Sequence, residues 1–171
     1  MKLKIVTLGN SVLKEQSKKV EKFDEKLEEF VESMFETLKV SNGIGLAAPQ
    51  VDVSKRLFIV LLEEDEEYVF INPEIIETSS DLVAYEEGCL SIPGIYTDVE
   101  RPSKVTVYAQ DIKGKNFKVE ASGILARVIQ HENDHLNGKL FIDRVNEEKR
   151  EVLVHQYEKK CRRSRILHGR K

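Results

Sequence analysis

The amino-acid sequence predicts an α+β fold: antiparallel or mixed β-sheets packed around a buried central helix, with an N-terminal helix and a C-terminal helix beside them. Three observations carry this prediction. Apolar residues recur at helical spacing before residue 43, apolar and polar residues alternate through the middle of the chain, and helical spacing returns with an unusually apolar set after Ser122.

The first helix rests on Leu27, Phe30, Val31, Met34, Phe35 and Leu38, which fall at i, i+3, i+4, i+7, i+8 and i+11 and so share one face. Asp24 is placed to accept from the first free N–H groups, and Asn42-Gly43 can take the left-handed conformation that ends a helix. Two strands follow, Leu57 to Leu62 and Tyr68 to Ile71. The five acids Glu63-Glu64-Asp65-Glu66-Glu67 between them repel one another and stay hydrated, as suits a hairpin tip. A second hairpin reads from Val105, Val107 and Ala109 to Phe117, Val119 and Ala121, turned by Asp111-Ile112-Lys113-Gly114-Lys115.

After Ser122 the period changes. Ile124, Val128, His131 and His135 form one stripe and Leu125, Ile129 and Leu136 another, with Gly138 as the closing residue. Apolar on neighbouring stripes, this helix is expected at the centre of the molecule. A last helix is predicted from Glu147 to Lys160, with Val152, Leu153 and Tyr157 on one side.

Length and composition bound the rest. The 171 residues fit one domain spanning 1–171, and a chain of this size buries enough surface to need no disulfide staple. The longest apolar run, Leu57 to Leu62, is far short of the roughly 20 residues of a membrane span, and the first residues lack the apolar stretch of a secretory signal. Two cysteines, Cys89 and Cys161, stand 72 residues apart, a spacing that fits a reducing cytoplasm better than a disulfide framework. The net charge of −3 is unevenly spread: residues 159–171 hold seven Lys/Arg and no acid, leaving 20 basic against 30 acidic residues elsewhere. A basic tail from residue 158 on an acidic body points to a polyanionic partner, RNA foremost; no DNA or membrane partner is expected.

The chemistry centres on His131-Glu132-Asn133-Asp134-His135. Two histidines four apart share a helix face and can converge on one cation, while Glu132 leans aside, able to reach a water rather than the ion. A hydrolytic site needs a third ligand and an open position. In the HExxHxxGxxH pattern of one peptidase group the glycine matches at Gly138, but the final histidine falls on Phe141, which cannot ligate. Glu158 is a second possibility, in a charged stretch. Cys89 is the stronger one: it lies in the polar, glycine-bearing stretch Glu86-Glu87-Gly88-Cys89-Leu90-Ser91, unlike a strand core, and a thiolate there binds a divalent metal well. A third segment, Gly43-Ile44-Gly45-Leu46-Ala47-Ala48-Pro49-Gln50, has small residues that let a ligand approach the backbone. No Lys-Ser/Thr follows it, so it is not a phosphate loop.

Together these segments resemble the peptide deformylases, a family marked by GxGxAAxQ, EGCLS and QHExDHLxG segments. The corresponding residues here are Gly43 to Gln50, Glu87 to Ser91 and Gln130 to Gly138, in the same order, and the likeness spans roughly residues 5–145. The resemblance implies a metal-dependent hydrolase that removes the formyl group from the N-terminal formyl-methionine of nascent polypeptides, releasing formate. It implies one divalent ion per chain held by Cys89, His131 and His135, with Fe(II) native and zinc or nickel found in preparations. It makes Glu132 the proton carrier and the Gln50 side chain and Leu90 N–H the oxyanion donors, with Gly45 beside them. The peptide would lie along Gly43-Ile44-Gly45, with its methionine against Ile44, Tyr85, Ile124, Arg127, Val128 and His131. Arg127 is expected to wall that pocket with its aliphatic stem while its head reaches water. Glu87 and Arg101 would form an ion pair holding the cysteine segment. Tyr96 stands where some members carry an arginine. In some bacterial members the C-terminal helix contacts the ribosome, a contact that the basic tail here would extend.

Two rivals differ in chemistry. A metallopeptidase would use a ligand such as Glu158 and cut unformylated peptides. A non-catalytic RNA-binding module with a structural metal would close its site with four ligands.

Overall fold

The computed structural model describes residues 1–169, apart from the side chain of Glu64. The fold is built on one fully apolar strand. β2 (Leu57–Leu62) reads Leu-Phe-Ile-Val-Leu-Leu because both of its faces are covered. Leu57 and Ile59 point to α1 (Glu25–Ser41), and Phe58 and Val60 point to α2 (Gly123–Leu136). Around β2 lie β1 (Gly45–Ala47), β3 (Glu66–Thr78), β6 (Lys104–Gln110) and β7 (Asn116–Ser122). They form a five-stranded antiparallel sheet in the order β1-β2-β3-β6-β7.

The predicted helix caps form. Asp24 accepts from the Leu27 N–H at 3.1 Å, and Asn42, at φ 55°, takes the left-handed position that closes α1. The stripe of α1 buries Leu27, Val31, Met34, Phe35 and Leu38. Both hairpins appear where the alternation placed them, and each strand around the acidic tip is longer than or equal to its expectation, β3 most of all. Gly138, at φ +71°, follows α2 so closely that a Cβ would stand 2.5 Å from the Lys14 carbonyl oxygen.

A second sheet carries what the alternation did not show. β4 (Leu82–Cys89) and β5 (Ile92–Pro102) pair antiparallel through a tight turn at Leu90-Ser91. Cys89 is therefore the last residue of a strand, which corrects the reading of its neighbourhood as non-strand. The signal was hidden because the buried positions of this pair include Glu87, Thr97 and Arg101, while Leu82, Val83 and Tyr85 are exposed. β5 packs by Ile92, Ile95 and Val99 on Leu140, Phe141, Ile142 and Leu153. Leu153 belongs to α3 (Glu147–His168), which runs eight residues past its predicted end. The basic tail is thus helical as far as His168, and its last two residues, Arg170 and Lys171, lie outside the described residues. Among the described residues, no helix is long and apolar enough to cross a membrane.

Candidate active site and metal centre

α2 lies between the two sheets, and the site forms where its polar side meets the β4–β5 turn. His131 and His135 are one turn apart on α2, and Cys89 comes to them from the end of β4. One ligand atom from each of the three lies within 4.8 Å of the others, and Cys89 Sγ stands 3.4 Å from His135 Nε2. Glu158 is exposed on α3 and takes no part in this group.

Burial and charge fit a cation here. The His131 Nδ1 is 2.7 Å from Glu87 Oε1, so its Nε2 is turned to the gap. Burial, with His131 and Arg101 nearby, pushes His135 well below the ordinary histidine range, toward the neutral form that ligates. Gln50 Nε2 and the Ser91 N–H each donate to Cys89 Sγ at 3.4 Å. The chemistry of the set, one thiolate and two imidazoles at the end of a cleft, suits a divalent ion of the iron, nickel and zinc kind.

Glu132 is the group least accounted for by packing alone. It is buried, and its Oε2 has no hydrogen-bond partner among the described residues. Burial pushes its carboxyl up to about 7. Its Oε1 lies 4.0 Å from His131 Nε2, at the edge of the three-ligand gap. Gly45 makes that position possible: a Cβ there would stand 2.6 Å from Glu132 Oε1 and 2.8 Å from Val128 Cγ1.

The short helical turn Ala48–Val51 aims Gln50. Its Oε1 accepts from the Ala47 N–H at 2.9 Å, and its Nε2 also donates to Ser91 Oγ at 3.2 Å. Glu87 and Arg101 are no surface bridge: their side chains are 5% and 4% exposed, joined by Nε to Oε2 at 2.7 Å and a second nitrogen to Oε1 at 2.9 Å. Burial alone would raise the Glu87 carboxyl, but the hydrogen bonds from His131 and Arg101 and their charge hold it at about 2. Two residues that the motifs did not single out complete this cluster. Asp134 accepts from Arg101 at 3.0 Å and from Arg144 at 2.9 and 2.5 Å. Asp134 sits inside the HExDH letters, and that was the only signal available for it; nothing in the sequence marks Arg144.

A cleft of about 440 Å³ opens onto the centre, lined by Gly43, Ile44, Gly45, Gln50, Tyr85, Glu87, Cys89, Leu90, Tyr96, Ile124, Arg127, Val128, His131 and Glu132. The residues read as the peptide and methionine surface are thus brought together. Ile44, Tyr85 and Ile124 are exposed at its rim, and Val128 is buried in its wall. Arg127 departs from expectation. Its side chain is only 12% exposed, and its guanidinium is bonded to Glu87 and to carbonyl oxygens of both strands of the second sheet.

A family model described as polypeptide deformylase matches residues 2–151. The peptide deformylase of Prochlorococcus marinus is 46% identical over 165 residues, spanning 92% of this chain and 81% of that protein. That of Dictyoglomus thermophilum is 52% identical over 141 residues, spanning 82% of this chain and 91% of its own. Among solved structures, a peptide deformylase from Legionella pneumophila matches with a TM-score of 0.91 at 42% identity, covering 100% of this chain and 99% of that one. One from Synechococcus elongatus in complex with actinonin matches with a TM-score of 0.86 at 44% identity, covering 91% and 86%. The converging motif segments and this likeness along nearly the whole chain lead to one conclusion: the chain belongs to the polypeptide deformylase family.

Proposed function

We propose that the cleft carries out the family's reaction with Glu132 as proton carrier, Cys89, His131 and His135 as metal ligands, and Gln50 with the Leu90 N–H as donors to the developing oxyanion. The reaction itself is removal of the formyl group from the N-terminus of nascent polypeptides by a metal-dependent hydrolase. The observation that carries the assignment of roles is the buried Glu132 oxygen without a partner, set beside three convergent ligand atoms at the end of a cleft.

When bound, the cation would supply Lewis acidity, which eases loss of a proton from water and polarises the formyl carbonyl. The chain's own residues do the rest. Glu132 takes a proton from the attacking water and passes it to the departing amine nitrogen, so that formate and a free N-terminus result. Gln50, held by the bond from the Ala47 N–H to its side-chain oxygen, would turn one Nε2 N–H from its contacts with Cys89 Sγ and Ser91 Oγ to the place where negative charge grows. β1 is the edge strand of its sheet, so the Gly43-Ile44-Gly45 segment can pair with an extended peptide as an added strand. Ile44, Tyr85, Ile124 and Val128 then offer apolar surface to a methionine side chain.

The remaining assignments are of the same kind. A single catalytic domain working in the cytoplasm with Fe(II) as its native ion fits the thiolate-bearing ligand set and the absence of any paired cysteine among the described residues. Contact with ribosomal RNA is supported by α3, whose last turns present Arg162, Arg163 and Arg165 on an exposed helix.

Formyl-Met-Ala-Ser and acetyl-Met-Ala-Ser, offered to protein purified without air and analysed for metal, test the reading. Formate release with the acetyl peptide left whole is the expected result. Cleavage of neither peptide by metal-loaded protein would overturn it.

A further inference from the structure

The three ligands come from two elements, and the buried apolar clusters that hold those elements are separate, joined near the site by the His131 ring stacked on Phe141. The buried apolar residues of α2 pack on the five-stranded sheet, and those of β5 pack on residues 140–153. What spans the gap from α2 to the cysteine-bearing pair is polar, and Arg127 makes more of these ties than any other side chain of α2. One terminal nitrogen donates to Glu87 Oε2 at 2.6 Å and to the Val99 carbonyl at 2.9 Å; the other donates to the Val83 carbonyl at 2.6 Å. Val83 and Glu87 belong to β4 and Val99 to β5. The side chain is 12% exposed, and its guanidinium carbon lies 5.7 Å from the Tyr85 ring centroid.

Arg127 precedes His131 by one helical turn, so the two side chains stand on one face and meet the same carboxylate. Glu87 Oε1 receives the His131 contact while Oε2 receives Arg127, and Arg101 bonds to both oxygens. Cys89 follows Glu87 by two residues on the same strand. A pocket wall needs only the apolar stem of an arginine. A fork engaged on three acceptors from two strands fixes a distance, which a stem cannot do.

We propose that Arg127 is a positioning residue: it clamps the cysteine strand against the histidine helix and thereby sets the spacing of the metal ligands. The proposal rests on Cys89, His131 and His135 being those ligands.

The test uses the full chain with Arg127→Met, which keeps the stem and removes the fork, and Arg127→Lys, which keeps the charge. Cobalt(II) is the probe, followed by the thiolate-to-cobalt absorption band and by competition with a chelator. The expected result is a cobalt affinity lowered about 10–100-fold in Arg127→Met. Arg127→Lys should fall between it and the parent. Parent-like affinity and spectrum in Arg127→Met, with only KM altered, would leave Arg127 as a pocket wall and overturn the proposal. Should Arg127→Met fail to fold, parent-like cobalt affinity in folded Arg127→Lys would overturn it equally. Absence of a cobalt–thiolate band in the parent protein is a separate result, which would remove the ligand assignment itself.

Discussion

The five-stranded sheet and the β4–β5 pair flank the same helix, yet different forces hold them. In the first, β2 is apolar on both faces, and Phe58 and Phe70 stack with ring centroids 4.9 Å apart. In the second, the positions facing α2 include Glu87 and Arg101, bonded to each other, to His131, to Asp134 and to Arg127. Apolar packing has no direction and tolerates small displacements, whereas forked hydrogen bonds fix atoms to within fractions of an ångström. The molecule uses the first to hold a frame and the second to hold a geometry. A hydrolytic centre placed at their junction takes its support from one side and its alignment from the other.

This contrast can be broken at graded cost. Between the two sheets, Glu132→Gln keeps shape and removes the carboxylate proposed to carry the proton; kcat for formyl-Met-Ala-Ser should fall about 10²–10⁴-fold, while metal analysis still finds the ion bound. Phe70→Ala, wholly within the apolar sheet, should lower stability by about 3–5 kcal/mol in urea unfolding and leave kcat and KM of the folded fraction as they were. Glu87→Gln should cost a similar amount, about 3–5 kcal/mol, because the Arg127 guanidinium loses its counter-charge and buried Arg101 is left with Asp134 alone. Unlike Phe70→Ala, it should also weaken metal binding in a chelator competition; equal metal affinity in the two variants would erase the distinction drawn between the sheets. Gly45→Ala pushes on Glu132 Oε1 and Val128, so a loss of about 10²-fold in kcat/KM is expected for a displacement near 1 Å, with thermal melting hardly moved. The smallest effect belongs to removal of residues 159–171, which among the described residues ends the exposed bond from Lys160 Nζ to the Gly94 carbonyl and takes away the half-buried Cys161. Tm should drop by no more than about 2–4 °C, the equivalent of about 1 kcal/mol. Co-sedimentation with ribosomes at low salt should decline as well, and unchanged co-sedimentation would discard the RNA contact.

The apolar sheet was the legible part of the sequence. β2, both hairpins and the stripe of α1 announce themselves because their buried positions, Thr37 of α1 aside, are filled by apolar side chains at a regular spacing. The β4–β5 pair escaped the same reading because its buried positions carry Glu87, Thr97 and Arg101 and its exposed ones carry Leu82, Val83 and Tyr85, an inversion that periodicity cannot recognise. The end of α3 escaped for another reason. Beyond Tyr157 no apolar stripe continues, yet residues 161–168 contain no glycine or proline, and the helix runs until Gly169. The candidate site residues that the structure brings together, among them Gln50, Cys89, His131, Glu132 and His135, stand in three short motifs. The fate of the Arg127 head was not, since a long cationic side chain at a cleft wall ordinarily ends in water.

The sequence by itself determined the two hairpins of the first sheet, the presence of the three helices, the candidate side chains for the chemistry and, through three ordered motifs, which family the chain resembles. All of these are properties of local pattern, readable within about ten residues. Only the tertiary structure decided that Cys89 meets His135 at 3.4 Å, that Gly45 leaves room for the Glu132 carboxylate, and that Arg127 turns inward to both strands of the second sheet. The physical reason is the same in each case. A contact between residues 28 or more apart has no local signature, and a buried ion pair is stable only when every partner arrives together.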